Sequence, residues 1–390
     1  MWEVYLDNSA TSRPIPEVIE YMTKTLIINY GNPSSLHKKG IEAEKILKKA
    51  RALIAKRLNV LPEEIIFTSG GTESNNLAIK GIVNNYSNRG KHLITTVVEH
   101  PAVLNTYKGL EKQGFEITYL DVDDYGLISL EDLEDSIRPD TILVSIMHIN
   151  NELGTIEPVH KAGKLIKKIN HKTFFHVDAV QSFGKILINT NDWLIDLLTI
   201  SAHKFHGPKG VGALYKNKKI NLQPLLDGGG QENNIRSGTE NIPSISGAIP
   251  ALNSLENFTA KYNFNKKIDK LKRYLRKEIE EKLDKYNYRI NTPEKGAPHI
   301  LNISFAHIKG EVLVHALEEE NIFVSTGSAC SSRKKDKSNV LNNINLPEEY
   351  INGTIRISLC RFNTYEEIDY TVEKLKEKLE YLSLYLPKNK

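Results

Sequence analysis

Seven short runs of β-branched and apolar residues, at 64–68, 92–98, 115–120, 141–147, 173–177, 195–201 and 211–215, are mostly separated by helix-compatible stretches. Strands that alternate with helices in this way imply a mainly parallel sheet covered on both faces, an α/β architecture. Ahead of these runs, Ala43, Leu47, Ala50, Ile54 and Leu58 recur at helical spacing and predict an amphipathic helix from about 36 to 58. From Ile242 through Tyr286 the pattern turns helical, and strand character resumes at 300–305 and 353–359. A chain of 390 residues exceeds one ordinary core, so this last part reads as a second, smaller α+β domain.

In open α/β sheets ligands bind beyond the carboxyl ends of the strands, which directs attention to what stands there. The run ending at Ile200 continues as Ser201-Ala202-His203-Lys204 and breaks at Gly207-Pro208. A lysine in that position is ordinarily a solvated charge, but burial or a neighbouring charge can turn its amine into a nucleophile able to form a Schiff base. The preceding run, Phe174-Phe175-His176-Val177-Asp178, ends in an acid. An amine and a carboxylate on neighbouring strands are the pair that pyridoxal phosphate (PLP) requires: lysine to hold its aldehyde, and an acid to keep its ring nitrogen protonated. A phosphate cradle is also at hand, because Ser69-Gly70-Gly71 turns from a strand into a helix opening at Thr72, where bare backbone N–H groups and the helix dipole attract an anion. The Gly-Lys-Ser/Thr ending of a P-loop is missing, which argues against an NTPase.

Further segments join these: Tyr5-Leu6-Asp7-Asn8-Ser9-Ala10-Thr11, Gly31-Asn32-Pro33-Ser34-Ser35, Glu99-His100, Asn150-Asn151-Glu152, Arg236-Ser237-Gly238-Thr239 and Ser328-Ala329-Cys330. In this order, along nearly the whole chain, they resemble the NifS/IscS cysteine desulfurases. The resemblance implies PLP fold type I, with a large domain at 14–255 and a small one formed by 1–13 and 256–390, and a site built at a homodimer interface. It implies that Lys204 is the cofactor-binding amine and Asp178 its ring partner. His100 would stack on the ring and help move protons, Asn151 would contact the cofactor hydroxyl or the substrate carboxylate, and Gln181 would hydrogen-bond the same hydroxyl. Gly71, Thr72, Ser201 and His203 would surround the phosphate. Thr239 would reach the phosphate of the neighbouring subunit. Arg356, whose guanidinium matches a carboxylate with two parallel hydrogen bonds, would bind the amino-acid substrate, assisted by Asn32.

Cys330 decides between reactions, because PLP, lysine, acid and arginine would serve an aminotransferase equally well. Its surroundings are small and polar and then basic, Ser331-Ser332-Arg333-Lys334-Lys335, which favours an exposed thiolate. The expected reaction converts L-cysteine to L-alanine and leaves the sulfur on Cys330 as a persulfide. An acceptor such as an iron–sulfur scaffold or a tRNA-thiolation protein would then collect it. A selenocysteine lyase or an aminotransferase on the same scaffold is the alternative enzyme, and a non-catalytic binding partner the alternative of another class. With 52 basic and 48 acidic residues interleaved and a net charge of +4, no nucleic-acid stripe is expected. No apolar run is long enough to span a membrane, and the first residues lack a secretory pattern, so a cytoplasmic protein is expected. Two cysteines, with no Cys-x-x-Cys and no His-Glu-x-x-His, predict neither a disulfide framework nor a metal site.

Overall fold

A computed structural model describes residues 3–262, 264–327 and 338–385. Its twelve described strands are β1 (Val4–Tyr5), β2 (Ile65–Thr68), β3 (His92–Thr96), β4 (Glu116–Leu120), β5 (Thr141–Met147), β6 (Phe174–Asp178), β7 (Leu197–Ser201), β8 (Gly212–Lys216), β9 (Tyr288–Ile290), β10 (Ile300–Phe305), β11 (Ile322–Phe323) and β12 (Thr354–Ser358). Seven of them form the main sheet in the order β2-β8-β7-β6-β5-β3-β4. Only β8 runs against its neighbours; the other pairings in that sheet are parallel. Strands β2, β5, β7 and β8 are buried along their whole length, as expected of strands covered on both faces.

Each of the seven expected runs is a strand. The run at 92–98 is shorter than its apolar text suggests, because the Thr96 hydroxyl accepts from the Val98 amide and bends the chain away after Thr96. Helix α1 (Pro16–Ile28) precedes α2 (Lys38–Leu58), in which all five residues of the expected stripe are buried. The side chain of His37 caps α2 at its start, and Asn59 closes it in the left-handed conformation with φ 55°. Helices α3 (Gly71–Tyr86) and α4 (Pro101–Glu111) start just beyond the carboxyl ends of β2 and β3. Two long helices, Ile242–Tyr262 and Phe264–Lys282, lead to the antiparallel sheet β12-β10-β9.

The amino-terminal arm ties the two sheets together. Strand β1 pairs in parallel with β11, and Asp7 bridges to Ser358 at the end of β12. The arm then crosses to the main sheet, where the Ser12 hydroxyl donates to the His203 carbonyl at 2.7 Å and accepts from the His206 amide at 2.7 Å. No described helix is long and apolar enough to cross a membrane.

Candidate active site

Lys204 lies in the single turn Ala202–Lys204 directly after β7, and Asp178 is the last residue of the adjacent β6. The Lys204 amine donates to the carbonyl of Ser9 and to that of Ala10, the latter at 2.8 Å. The Asp178 carboxylate is buried and held from both sides: Asn75 Nδ2 donates to one oxygen at 2.7 Å, and the Val180 amide to the other at 3.0 Å. Asn75 stands one turn into α3, so the helix that starts at the glycine turn also aims the acid.

That turn fits a phosphate. Gly70, the N-cap of α3, makes no side-chain cap bond, which leaves the first amides of a sixteen-residue helix uncapped from that side. A Cβ built on Gly70 would meet nothing closer than the Ser201 hydroxyl, 4.0 Å away, so Ser201 borders the open space over the turn. A Cβ on Gly71 would instead strike Val180 at 2.9 Å, which requires glycine there. Thr72 is exposed at the second helical position, and a cleft of about 510 Å³ between α3 and α4 has Thr72 and His100 on its walls.

His100 caps α4. Its Nδ1 accepts from the Ala102 amide at 3.1 Å, so a proton on the neutral ring sits on Nε2. Burial lowers its pKa, and the positive charge of Lys204 acts in the same direction while Asp178 opposes it. His203 is also held neutral: burial first, then the cations around it, push it down to about 3, and its Nδ1 lies 3.2 Å from the Thr11 hydroxyl. Beside Asp178, the fully buried Glu99 accepts from the Met147 amide at 2.6 Å, and desolvation followed by the charge of Asp178 raises its pKa well above the carboxylate range.

Gln181 is buried in the turn after β6, its Nε2 donating to the Ser9 carbonyl at 2.9 Å. The same carbonyl therefore serves Lys204 and Gln181. Arg356, only 2% exposed, sits mid-strand in β12 and donates to Asp7 Oδ1 at 2.8 Å and to the Asn151 carbonyl at 2.8 Å; its Nε has no partner among the described residues. Asn151 thus reaches this arginine through its backbone. Asn32 is exposed between α1 and α2 and accepts from the Ser34 amide at 2.9 Å, with no hydrogen bond to Arg356.

The glycine-rich segment before Thr239 is pinned to the rest of the chain by ion pairs. Arg51 makes a two-pronged bond to Glu232 at 2.7 and 2.8 Å, Glu232 also accepts from the Phe67 amide, and Arg236 pairs with Glu73 at 2.8 Å. Three successive residues, Glu232, Asn233 and Asn234, take positive φ to make the bend. Thr239 emerges exposed and makes no hydrogen bond among the described residues. Cys330 lies outside the described residues, although both flanks of its segment meet Glu152. The Ser338 hydroxyl donates to Glu152 Oε2 at 2.6 Å, and a Cβ on Gly327 would lie 3.1 Å from the same oxygen. Cys360, the other thiol, is half-buried, and desolvation pushes its pKa up.

Sequence reasoning missed the arm carbonyls, Asn75, Glu99 and the Asp7–Arg356 pair. Asn75 and Glu99 carried a signal, a polar residue on the covered side of a helix and a second acid beside the site; backbone carbonyls carry none. No cluster of three or more metal-ligating side chains occurs among the described residues.

The model of the class-V aminotransferases matches residues 4–371. A cysteine desulfurase IscS of Dictyoglomus turgidum is 46% identical over 98% of this chain and 97% of its own length. The mitochondrial cysteine desulfurase of Saccharomyces cerevisiae is 42% identical, covering 97% of this chain and 75% of the relative. Among solved structures, a NifS-like protein superposes with a TM-score of 0.90 at 42% identity, over 98% of this chain and 100% of the other. A structure described as SspA in complex with cysteine gives 0.79 at 37% identity, over 93% and 100%.

Proposed function

The chain belongs to the class-V aminotransferase family, and from that footing we propose a division of labour among its residues for a PLP-dependent cysteine desulfurase. The observation that carries it is the placing of Lys204 and Asp178 at the ends of adjacent parallel strands, beside an uncapped helix turn bordered by Ser201. Lys204 would hold the cofactor aldehyde, Asp178 its ring nitrogen, and the Gly70–Thr72 turn with Ser201 its phosphate. When bound, PLP supplies an electron sink that makes the substrate Cα proton acidic.

Arg356 binds the substrate carboxylate, with its unpartnered Nε and its Asp7-held fork fixed in a buried strand. The amine of Lys204 takes the proton from Cα and returns one. The neutral His100, with its hydrogen on Nε2, is a donor that can pass a proton without first having to lose a charge. The Cys330 thiolate attacks the substrate sulfur. The S–S bond forms as the C–S bond breaks, the bonding pair stays with the substrate carbon, and a proton completes alanine. Cysteine and thiol thereby become alanine and Cys330 persulfide, with no external oxidant or reductant.

The functional unit is a homodimer in this reading, with Thr239 completing the phosphate site of a second copy; its exposure at the end of a pinned segment supports that assignment. Residues 1–13 belong with 256–390, as the β1–β11 pairing suggests, and 14–255 form the large domain. The persulfide passes to a protein acceptor such as an iron–sulfur scaffold or a tRNA-thiolation protein, and a cytoplasmic setting suits a thiol that must stay reduced. The test is alanine formation from L-cysteine by PLP-loaded protein with no 2-oxo acid added, followed by peptide mass mapping. Alanine with one added sulfur on Cys330 is expected. Full alanine release by Cys330→Ala would remove Cys330 from the reaction.

A further inference from the structure

Glu152, 5% exposed, follows Asn151 in the turn after β5. Its Oε2 accepts from the Ser338 hydroxyl at 2.6 Å, and a Cβ placed on Gly327 would lie 3.1 Å from the same oxygen. Gly327 also has φ 59°, so conformation and space both favour glycine there, and the chain can pass directly by the carboxylate. The residues flanking the ten-residue stretch 328–337 thereby meet at a single oxygen atom. Burying a carboxylate is costly, and catalysis as described gives Glu152 no task. Resting on the reading of Cys330 as the sulfur acceptor, we propose that Glu152 is a positioning residue for sulfur transfer: it ties both flanks of the Cys330 segment beside Arg356 and so limits the span between thiol and substrate.

Glu152 is itself firmly held. Its amide and that of Leu153 each donate to Asn150 Oδ1 at 2.9 Å, Asn150 Nδ2 donates to the Val98 carbonyl at 3.0 Å, and Asn302 Nδ2 donates to the Glu152 carbonyl at 3.1 Å. The flank before the segment is joined to Arg356. The backbones of Ser325 and Arg356 exchange hydrogen bonds of 3.2 and 2.6 Å, and Arg356 Nη1 donates to the Asn151 carbonyl at 2.8 Å. On the other flank the Ser338 hydroxyl also caps the helix Asn339–Asn343, accepting from the Leu341 amide at 3.2 Å. Desolvation raises the Glu152 pKa, while the Ser338 hydroxyl and the charge of Arg356 lower it. Either protonation state leaves an oxygen to accept from Ser338. Cys330 is the third residue past Gly327, so chain connectivity keeps its Cα within about 11 Å of the Gly327 Cα. With the start of that tether fixed against the residue assigned to the substrate carboxylate, its length sets how often thiol and substrate sulfur meet.

The experiment compares two reactions of the full-length, PLP-loaded protein. Hydrogen exchange at Cα of L-alanine in deuterium oxide calls on Lys204 and Arg356 but on no thiol. Single-turnover sulfur transfer from L-cysteine, read as added mass on the Cys330 peptide, calls on all three. Glu152→Ala is expected to slow sulfur transfer about tenfold or more while Cα exchange stays within about twofold. Glu152→Gln, which keeps an oxygen for Ser338, is expected to transfer sulfur at nearly the unsubstituted rate. In protein freed of PLP, peptides covering 338–343 should take up deuterium about tenfold faster in Glu152→Ala, which reads the anchor without any catalysis. Unchanged sulfur transfer or unchanged uptake in Glu152→Ala, an equal loss of both reactions, or slow transfer in Glu152→Gln each overturns the proposal. Should Glu152→Ala not fold, Ser338→Ala removes the same hydrogen bond from the other side, and transfer at the unsubstituted rate in that variant overturns the proposal as well. Absence of sulfur on Cys330 in unsubstituted protein refutes the underlying reading instead, and leaves the uptake comparison untouched.

Discussion

The two ends of the main sheet bury polar groups to similar depth and use them differently. At the amino end the bonds close on themselves. His92 opens β3 with Nδ1 against the Thr141 hydroxyl at 2.7 Å and Nε2 against the Thr118 hydroxyl at 2.8 Å. Thr173 donates to the Thr141 carbonyl, and Asp196 accepts from Lys167 and the Phe175 amide. At the carboxyl end, buried atoms are left over: Glu99 Oε2, Asn75 Oδ1, Ser9 Oγ and Arg356 Nε have no partner among the described residues. Buried polar atoms ordinarily find partners. One end is therefore complete as a structure, and the other is complete only with something bound.

Substitutions at the two ends should separate accordingly. Lys204→Ala should lower alanine formation by about 10⁴-fold or more, since in the proposed reading its amine both holds the cofactor and moves the proton. Asp178→Asn, nearly the same shape without the charge, should cost on the order of 10²-fold in kcat. Arg356→Lys keeps a positive charge and loses the planar fork, so KM for L-cysteine should rise roughly tenfold or more with a smaller change in kcat. A near-normal KM would detach Arg356 from the substrate. At the opposite end, His92→Ala should leave kcat and KM unchanged and lower stability by about 1–3 kcal/mol in urea unfolding, because the Thr141 and Thr118 hydroxyls each lose a hydrogen bond. A loss of turnover in that variant without a loss of stability would erase the contrast.

The contrast can also be sharpened by pH. Burial lowers Lys185 to about 7 in the folded protein, against about 10.4 in an unfolded chain. Between these values the unfolded chain binds a proton that the folded chain does not, so stability should rise with pH through that window. The slope contributed by Lys185 is at most about 1.4 kcal/mol per pH unit, and Lys185→Met should remove it. Urea midpoints at two pH values inside the window, compared between the two proteins, measure the difference.

Much of the main sheet was legible because strands covered on both faces must be apolar throughout, as in Thr141–Met147. Lys204 and Asp178 were legible for a related reason: each is a charged residue where such a run stops. Helix α1 was not, since Ile19, Leu26, Ile27 and Ile28 lie on its exposed side and leave no inward stripe to find. Strands β1 and β11 are two residues each, too short for any period to show. The holding of Lys204 by the arm was out of reach for a different reason. Its acceptors are carbonyls, which every residue has, and only their position in space distinguishes Ser9 and Ala10.

That arm has a consequence for the order in which the enzyme is assembled. Asn8 donates to the carbonyl of Ser358, 350 positions away, and among the described strands β1 pairs with β11 alone. Loop closure over such a distance comes late in folding, and during synthesis it waits until the last strand has left the ribosome. A nascent chain can thus complete the seven-stranded sheet with Lys204 in place while the carbonyls that hold its amine are still unanchored. Lys204 is placed by the middle of the chain, but its surroundings are completed by the meeting of two distant segments.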